Sequence, residues 1–225
     1  MEFVSLGAGA PVFVGRAGEL AALDAAFDRV RQGQPSAVLI GGEAGVGKSR
    51  LLSEFAARAQ AVGVTRVLYG YCLELSAEGL PFAPFTGVLR ELAHGLGTDG
   101  VAALLPGRGA RELARLLPEL GEPGTGADPD EARARMFEQV LALFQHLAES
   151  GPLVLVVEDT HWSDRSTRDL LAFLVGNQHV LTGVLIVVTF RSDGAGPKAP
   201  AAPGARRAGQ ARLGAAAGPA PAEPP

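Results

Sequence analysis

Residues Gly42-Glu43-Ala44-Gly45-Val46-Gly47-Lys48-Ser49 fall in the pattern G-x-x-x-x-G-K-[ST]. Glycines at those places let the backbone turn its N–H groups inward around an anion, and a helix starting there adds the positive end of its dipole. Lys48 stands where an ammonium reaches the outer phosphates of a nucleotide, and Ser49 stands where a hydroxyl ligates Mg²⁺. Arg50 follows directly and is counted with the phosphate-binding set. Much further along, Glu158 and Asp159 end the apolar run Leu153–Val157. One acid in such a place holds Mg²⁺, often through water, and a second orients the attacking water. Side chains alternate across a strand, so two adjacent acids should not both face the metal. Glu158 is placed in the metal slot and Asp159 as the base; the reverse assignment stays open. Arg191 ends a further apolar run, Val184–Phe190. A cation at that end sits where open α/β sheets hold ligands, which makes Arg191 a candidate sensor of the terminal phosphate, set against a plain surface arginine.

These residues need a strand before the glycine loop and a helix after it. Ser36–Ile40 is a short apolar run of the kind buried on both faces of a sheet, and Leu51, Leu52, Phe55 and Ala59 recur at helical spacing. Upstream, Leu20, Leu23, Phe27 and Val30 mark one face of a helix that ends at Gln32-Gly33-Gln34-Pro35. On the residues alone, the apolar turn with Gly15-Arg16 either holds an adenine base or simply starts the helix with Arg16 in solvent, and composition favours the second. Thr65–Cys72 reads as a second strand, rich in β-branched and aromatic residues. Between Leu73 and Pro129 the spacing predicts helices at Phe85–His94, Val101–Leu105 and Arg111–Leu117, with no constellation of catalytic or metal-ligand spacing. Asp130 is expected to cap a helix over Glu131–Ser150 with the stripe Met136, Val140, Leu141, Phe144 and Leu147. His161-Trp162-Ser163-Asp164 follows the acids: Asp164 should cap a helix through Val175, Trp162 reads as a packing anchor, and His161 either reaches the γ-phosphate side or stays a loop histidine.

The chain of 225 residues is 47% hydrophobic, enough for a sizeable core, and its net charge of −4 carries no basic footprint for nucleic acid. Cys72 is the single cysteine, so no internal disulfide forms, as suits a reducing cytosol. Met1–Ala10 lacks the pattern of a secretory signal, and the apolar stretch around Val180–Phe190 is too short to span a bilayer. The expectation is a soluble cytoplasmic protein without membrane or direct nucleic-acid contacts.

Phe13-Val14-Gly15-Arg16, Gly42 through Leu52, Val157 through Asp164 and Thr189-Phe190-Arg191 come in the order and spacing of one domain. Over roughly Pro11–Ser192 the chain resembles the AAA+-like, STAND-type ATPase domain of large bacterial LuxR-type transcription regulators, itself similar to the ATPase of archaeal Orc/Cdc6 initiators. The glycine loop is generic to P-loop proteins; the His161-Trp162-x-Asp164 continuation is the more specific part. The resemblance implies a three-layer α/β/α fold with a parallel sheet ordered 5-1-4-3-2 and ATP with Mg²⁺ as ligands. It also implies Arg16 in the adenine pocket and Arg191 as a γ-phosphate sensor. Ala17 departs from the glutamate usual after Gly-Arg.

From this follow an ATP-binding regulatory switch with slow hydrolysis, and ATP or ADP as partners beside possible self-association or an effector protein. A turnover ATPase of a loader or cyclase/kinase-associated type and an inert truncation product are the alternatives. Residues 1–11 read as a flexible lead-in and 12–192 as the ATPase core, incomplete and without its lid. Residues 193–225, Ala/Pro/Gly-rich, read as a disordered tail. The abrupt change at Ser192-Asp193 suggests either an out-of-frame product of a GC-rich gene or a linker. In the first case the fifth strand is missing, the strand at Ser36–Ile40 becomes an exposed edge, and solubility and nucleotide affinity suffer. Arg206, Arg207 and Arg212 are too few for a nucleic-acid arm.

Overall fold

The computed structural model describes residues 16–74, 80–105, 107, 109–124, 128–192 and 213–216. Four strands run parallel: β1 (Ser36–Gly42), β2 (Arg66–Tyr71), β3 (Leu153–Glu158) and β4 (Val184–Arg191). They lie in the order β2-β3-β4-β1, so the two inner places go to the two most apolar runs. Every residue of β3 is buried, as a parallel strand covered on both faces requires.

Helices cover the two faces. On one lie α1 (Ala17–Arg31) and α2 (Lys48–Ala61), packed through Leu20, Leu23, Phe27, Leu51, Leu52 and Phe55 onto Val38, Ile40, Val154, Val156, Leu185 and Val187. Phe27 and Phe55 meet edge to face at 6.0 Å between centroids. On the other lie α3 (Ala83–Leu96), α6 (Pro129–Glu149) and α7 (Arg165–Gly176), with the short α4 (Thr98–Ala103) and α5 (Gly109–Leu113) beside them. These bury Leu153, Leu155, Val157, Val184, Ile186 and Val188. The period of two is therefore explicit: odd positions of β3 face α3, α6 and α7, and even positions face α1 and α2. The apolar stripes read from the sequence in α1, α2 and α6 are all buried.

Three expectations change. Asp130 does not cap α6; Asp128 does, its Oδ1 accepting from the Asp130 N–H at 2.9 Å, because Pro129 takes the first helical position where its missing N–H costs nothing. The intervening helices begin and end elsewhere: α3 starts two residues before Phe85, with Pro84 in its first turn, and α5 ends at Leu113 rather than Leu117. Within the tail read as disordered, Leu213–Ala216 forms β5, antiparallel beside β1 with Ile40 opposite Leu213 and Ala37 opposite Ala216. The edge of β1 offers a row of backbone N–H and C=O groups, and a short segment of this chain pairs with it. The sheet order is thus β2-β3-β4-β1-β5: the expected sequence of neighbours, with an antiparallel strand in the outer place expected to be missing. The lead-in and residues 193–212 and 217–225, including Arg206, Arg207 and Arg212, lie outside the described residues. Among the described residues no helix is long and apolar enough to cross a membrane.

Candidate functional site

The glycine loop connects β1 to α2 at the C-terminal end of the parallel strands. Gly45 and Gly47 have φ of +71° and +91°, the left-handed region in which a side chain would be strained, and Gly47 is the residue from which α2 starts. Leu51, Leu52 and Phe55, none with exposed surface, seat α2 against the sheet. Each contributes about 1.5–3 kcal/mol by burial, which fixes where the helix points its N-terminus. Lys48 is buried, and its Nζ donates to the carbonyls of Gly42 at 2.9 Å and Glu43 at 3.0 Å, so the ammonium bridges the loop's first turn.

The alternation of β3 sends the two acids to different surroundings. Val154 and Val156 face α2, so Glu158, the next even residue, points to the same side and meets the first turn of that helix. The Ser49 hydroxyl donates to Glu158 Oε2 at 2.5 Å. Burial pushes the Glu158 carboxyl up from its ordinary value; the Ser49 hydrogen bond and Lys48 oppose this, while Asp159 adds to it. Asp159 leaves the strand with φ of +57° and a half-exposed side chain. Thr189, fully buried in β4, holds that bend by accepting from the Asp159 N–H at 2.9 Å and receiving the Thr160 hydroxyl on its carbonyl at 2.9 Å. In β4, Leu185 and Val187 face α2, and Arg191 continues the same row past Thr189.

A cavity of about 410 Å³ lies between these elements. Ala44, Gly45, Gly47, Lys48, Ser49 and Arg50 form one wall, and Asp159 and Arg191 stand on the other. Gly42, Glu43 and Val46 belong to the loop outside the lining. Arg16 is also outside it: its Nη2 donates to the Val46 carbonyl, so it braces the loop from behind, and its expected companions Phe13-Val14-Gly15 lie outside the described residues.

Three further residues line the cavity. His161 has its Nδ1 3.8 Å from Asp159 Oδ1 and its ring 4.9 Å from that of Trp162. Trp162 packs against the larger core, as read from the sequence, and also faces the cavity. Glu74, three residues past β2, has no signal in the sequence; it arrives because the Cys72 N–H extends the pairing to the Glu158 carbonyl at 3.1 Å.

The residues fit a nucleotide phosphate with a hard divalent cation. The wall combines left-handed glycines with Lys48, Arg50 and Arg191, and the Ser49 oxygen lies beside a carboxylate. Among the described residues no group of three or more His, Cys, Asp or Glu gathers to hold a metal by itself.

Comparison with known proteins bears on the same residues. The sequence matches the AAA ATPase domain family over residues 12–187. It is 32% identical over 182 residues to an uncharacterised protein of Rhizobium meliloti (strain 1021), covering 76% of this chain and 18% of that protein. The chain thus spans under a fifth of that relative's length. Among solved structures, Drosophila ORC bound to DNA aligns with a TM-score of 0.36 and 13% identity, over 77% of this chain and 78% of that one. Drosophila ORC bound to AT-rich DNA and Cdc6 aligns with a TM-score of 0.35 and 13% identity, over 78% and 49%. At those scores the structural likenesses carry no argument. The glycine loop, the acids that close β3 and the match along most of the sequence make this chain a member of the AAA ATPase domain family, whose fold implies nucleotide binding.

Proposed function

We propose that the chain binds ATP with Mg²⁺ as the switch domain of a larger regulator and hydrolyses it slowly. The contact of Ser49 with Glu158 carries this reading, because it sets the hydroxyl of Ser49, in a cavity walled by Lys48, Arg50 and Arg191, against the buried Glu158 carboxylate, which stands outside the lining. In this reading the backbone of Gly42–Ser49 wraps the phosphates, with Lys48 and Arg50 offsetting their charge. Ser49 and Glu158 would hold Mg²⁺, which supplies charge neutralisation on the phosphoryl oxygens. Asp159 orients water as the base, and Arg191, which continues the α2-facing row of β4 at the cavity, senses the γ-phosphate. Arg16 supports the loop next to the adenine side.

The core of this domain is residues 12–192. The regulator context, a LuxR-type transcription factor with its DNA-binding module elsewhere, rests on the His161-Trp162-x-Asp164 resemblance. Partners would be ATP and ADP, together with self-association or an effector protein. Equilibrium titration of the purified chain with a fluorescent ATP analogue, with and without Mg²⁺, tests the proposal. Saturable binding that strengthens with Mg²⁺ is the expected result, and its absence overturns the reading. Turnover well below the ordinary enzyme range of about 1–10³ s⁻¹ fits a switch; sustained turnover within that range replaces it with a work-coupled ATPase.

A further inference from the structure

The connection between β2 and α3 is pinned at both ends to the wall that carries the acids. At its start, the Cys72 N–H donates to the Glu158 carbonyl at 3.1 Å. At its end, the Phe82 N–H donates to Asp164 Oδ2 at 3.3 Å. Asp164 is buried and has two tasks. Its Oδ1 accepts from the Thr167 N–H at 3.1 Å and caps α7, while its Oδ2 faces both the Thr167 hydroxyl and the Phe82 N–H. A cap needs only the first oxygen.

The turn from Asp159 to Asp164 is tied to itself throughout. The Trp162 N–H donates to the Asp159 carbonyl, and the Ser163 N–H and hydroxyl both donate to the Thr160 carbonyl. It therefore moves as one piece, with cavity-lining side chains at one end and Asp164 at the other. Phe82, at the receiving end, has φ of +58°. Among the described residues, Phe82 and Asp159 are the non-glycine residues with positive φ, so the two bends that the surroundings must hold in place sit at the two ends of this link. The Phe82 carbonyl in turn accepts from the N–H groups of Phe85 and Thr86 at 2.9 Å each, which form the first turn of α3.

We propose that Asp164 is a positioning residue whose second oxygen ties the acid-bearing turn of the pocket to the start of α3, so that nucleotide in the pocket orders the first turn of that helix. The inference rests on the nucleotide-binding reading above. It makes α3 the place where the pocket's state reaches the helical layer over the sheet.

Amide hydrogen exchange on the full chain, with and without ADP and Mg²⁺, reads the link. In the parent, nucleotide slows exchange both in the glycine loop, residues 43–49, and at Phe85 and Thr86, the latter by about fivefold or more, the lower end of ordinary couplings between sites. Asp164→Ser keeps an oxygen for the α7 cap and removes the acceptor for Phe82. It leaves the glycine-loop protection in place and abolishes the response at Phe85 and Thr86. Thr167→Val removes the hydroxyl that shares Oδ2 with Phe82, leaves the backbone cap on Oδ1 in place, and keeps the α3 response. The proposal is overturned if Asp164→Ser responds like the parent at α3. It is also overturned if Thr167→Val loses the response as Asp164→Ser does, or if the parent protects the glycine loop without protecting α3. Absence of protection in the glycine loop itself overturns the nucleotide reading together with this one.

Discussion

The Ser49 hydroxyl and the Glu158 carboxylate, 109 positions apart in the chain, stand 2.5 Å from one another. The helix N-terminus is set by the burial of α2, and the acid is set by strand parity. The backbone of each residue is thus placed independently of the other, and the tests below use that placement.

Lys48→Ala should remove most of the stabilisation that ATP or ADP with Mg²⁺ confers. A ligand at about 100 times its dissociation constant adds roughly 2.7 kcal/mol, or about 5–10 °C in melting temperature for a chain of this size. The ammonium contacts the loop carbonyls of Gly42 and Glu43 rather than the core, so the unliganded variant should still melt cooperatively. A ligand-induced shift equal to the parent's would rule out the phosphate role of the loop.

Glu158→Gln and Asp159→Asn should separate. The glutamine keeps an oxygen for Ser49 and loses the charge beside it, so the Mg²⁺ dependence of nucleotide binding should weaken. The asparagine stands on the half-exposed bend, where it should leave binding intact and lower hydrolysis by about 10²–10⁴-fold, the usual loss for a positioned base. Isothermal titration and single-turnover assays distinguish the two. Equal behaviour of both variants would make the acids structural.

Stability should depend on pH through Glu158. Burial raises its carboxyl above the ordinary value of 4.5. An acid whose folded pKa is raised binds more protons in the folded state than in the unfolded state, so its contribution to stability is greatest below 4.5 and declines as pH rises through the folded pKa. Glu158→Gln should therefore gain in melting temperature relative to the parent, with a wider gap at pH 8 than at pH 4.5. A gap that is constant across that range would contradict the assignment.

Cys72 should resist alkylation while the chain is folded. It is 6% exposed, and burial, with Asp164 and Asp159 nearby, pushes its thiol up to about 12. The thiolate is the reactive form, and at pH 8 only about one thiol in 10⁴ would carry it. Iodoacetamide labelling followed by mass spectrometry should be slow in buffer and rapid in denaturant. Fast labelling of the native chain would mean that the end of β2 opens.

What could be read from the sequence was whatever its chemistry keeps local. The glycine loop needs its residues adjacent, and Val154, Val156 and Glu158 share a face by parity alone, so the acid that turns toward α2 followed from counting. Asp164 was readable as a cap for the same reason. Its bond to Phe82 was not, because the two residues lie 82 positions apart and meet only through the packing of α7 beside α3. Glu74 was missed on similar grounds: nothing around it differs from an ordinary surface glutamate until β2 is laid beside β3. The choice of Asp130 over Asp128 overlooked Pro129, whose preference for the first helical position marks the residue before it as the cap. Leu213–Ala216 gave no strand signal because Leu-Gly-Ala-Ala carries no apolar alternation; it is known as a strand only by its backbone pairing with β1.

The place of β1 in the sheet also orders events in time. Its residue Ser36 pairs with Leu185 in β4, and β2, the next strand made, lies at the far side of the sheet. A ribosome adding roughly 5–20 residues per second must travel about 150 residues further, some 7–30 s, before the strand leading into the glycine loop meets its parallel neighbour. Through that interval Val38 and Ile40 lack their parallel neighbour, and Glu158, though made before β4, has no closed sheet to carry it to the loop. If the loop holds nucleotide as proposed, the complete site forms only once β4 has emerged and closed the gap between the first strand and the third.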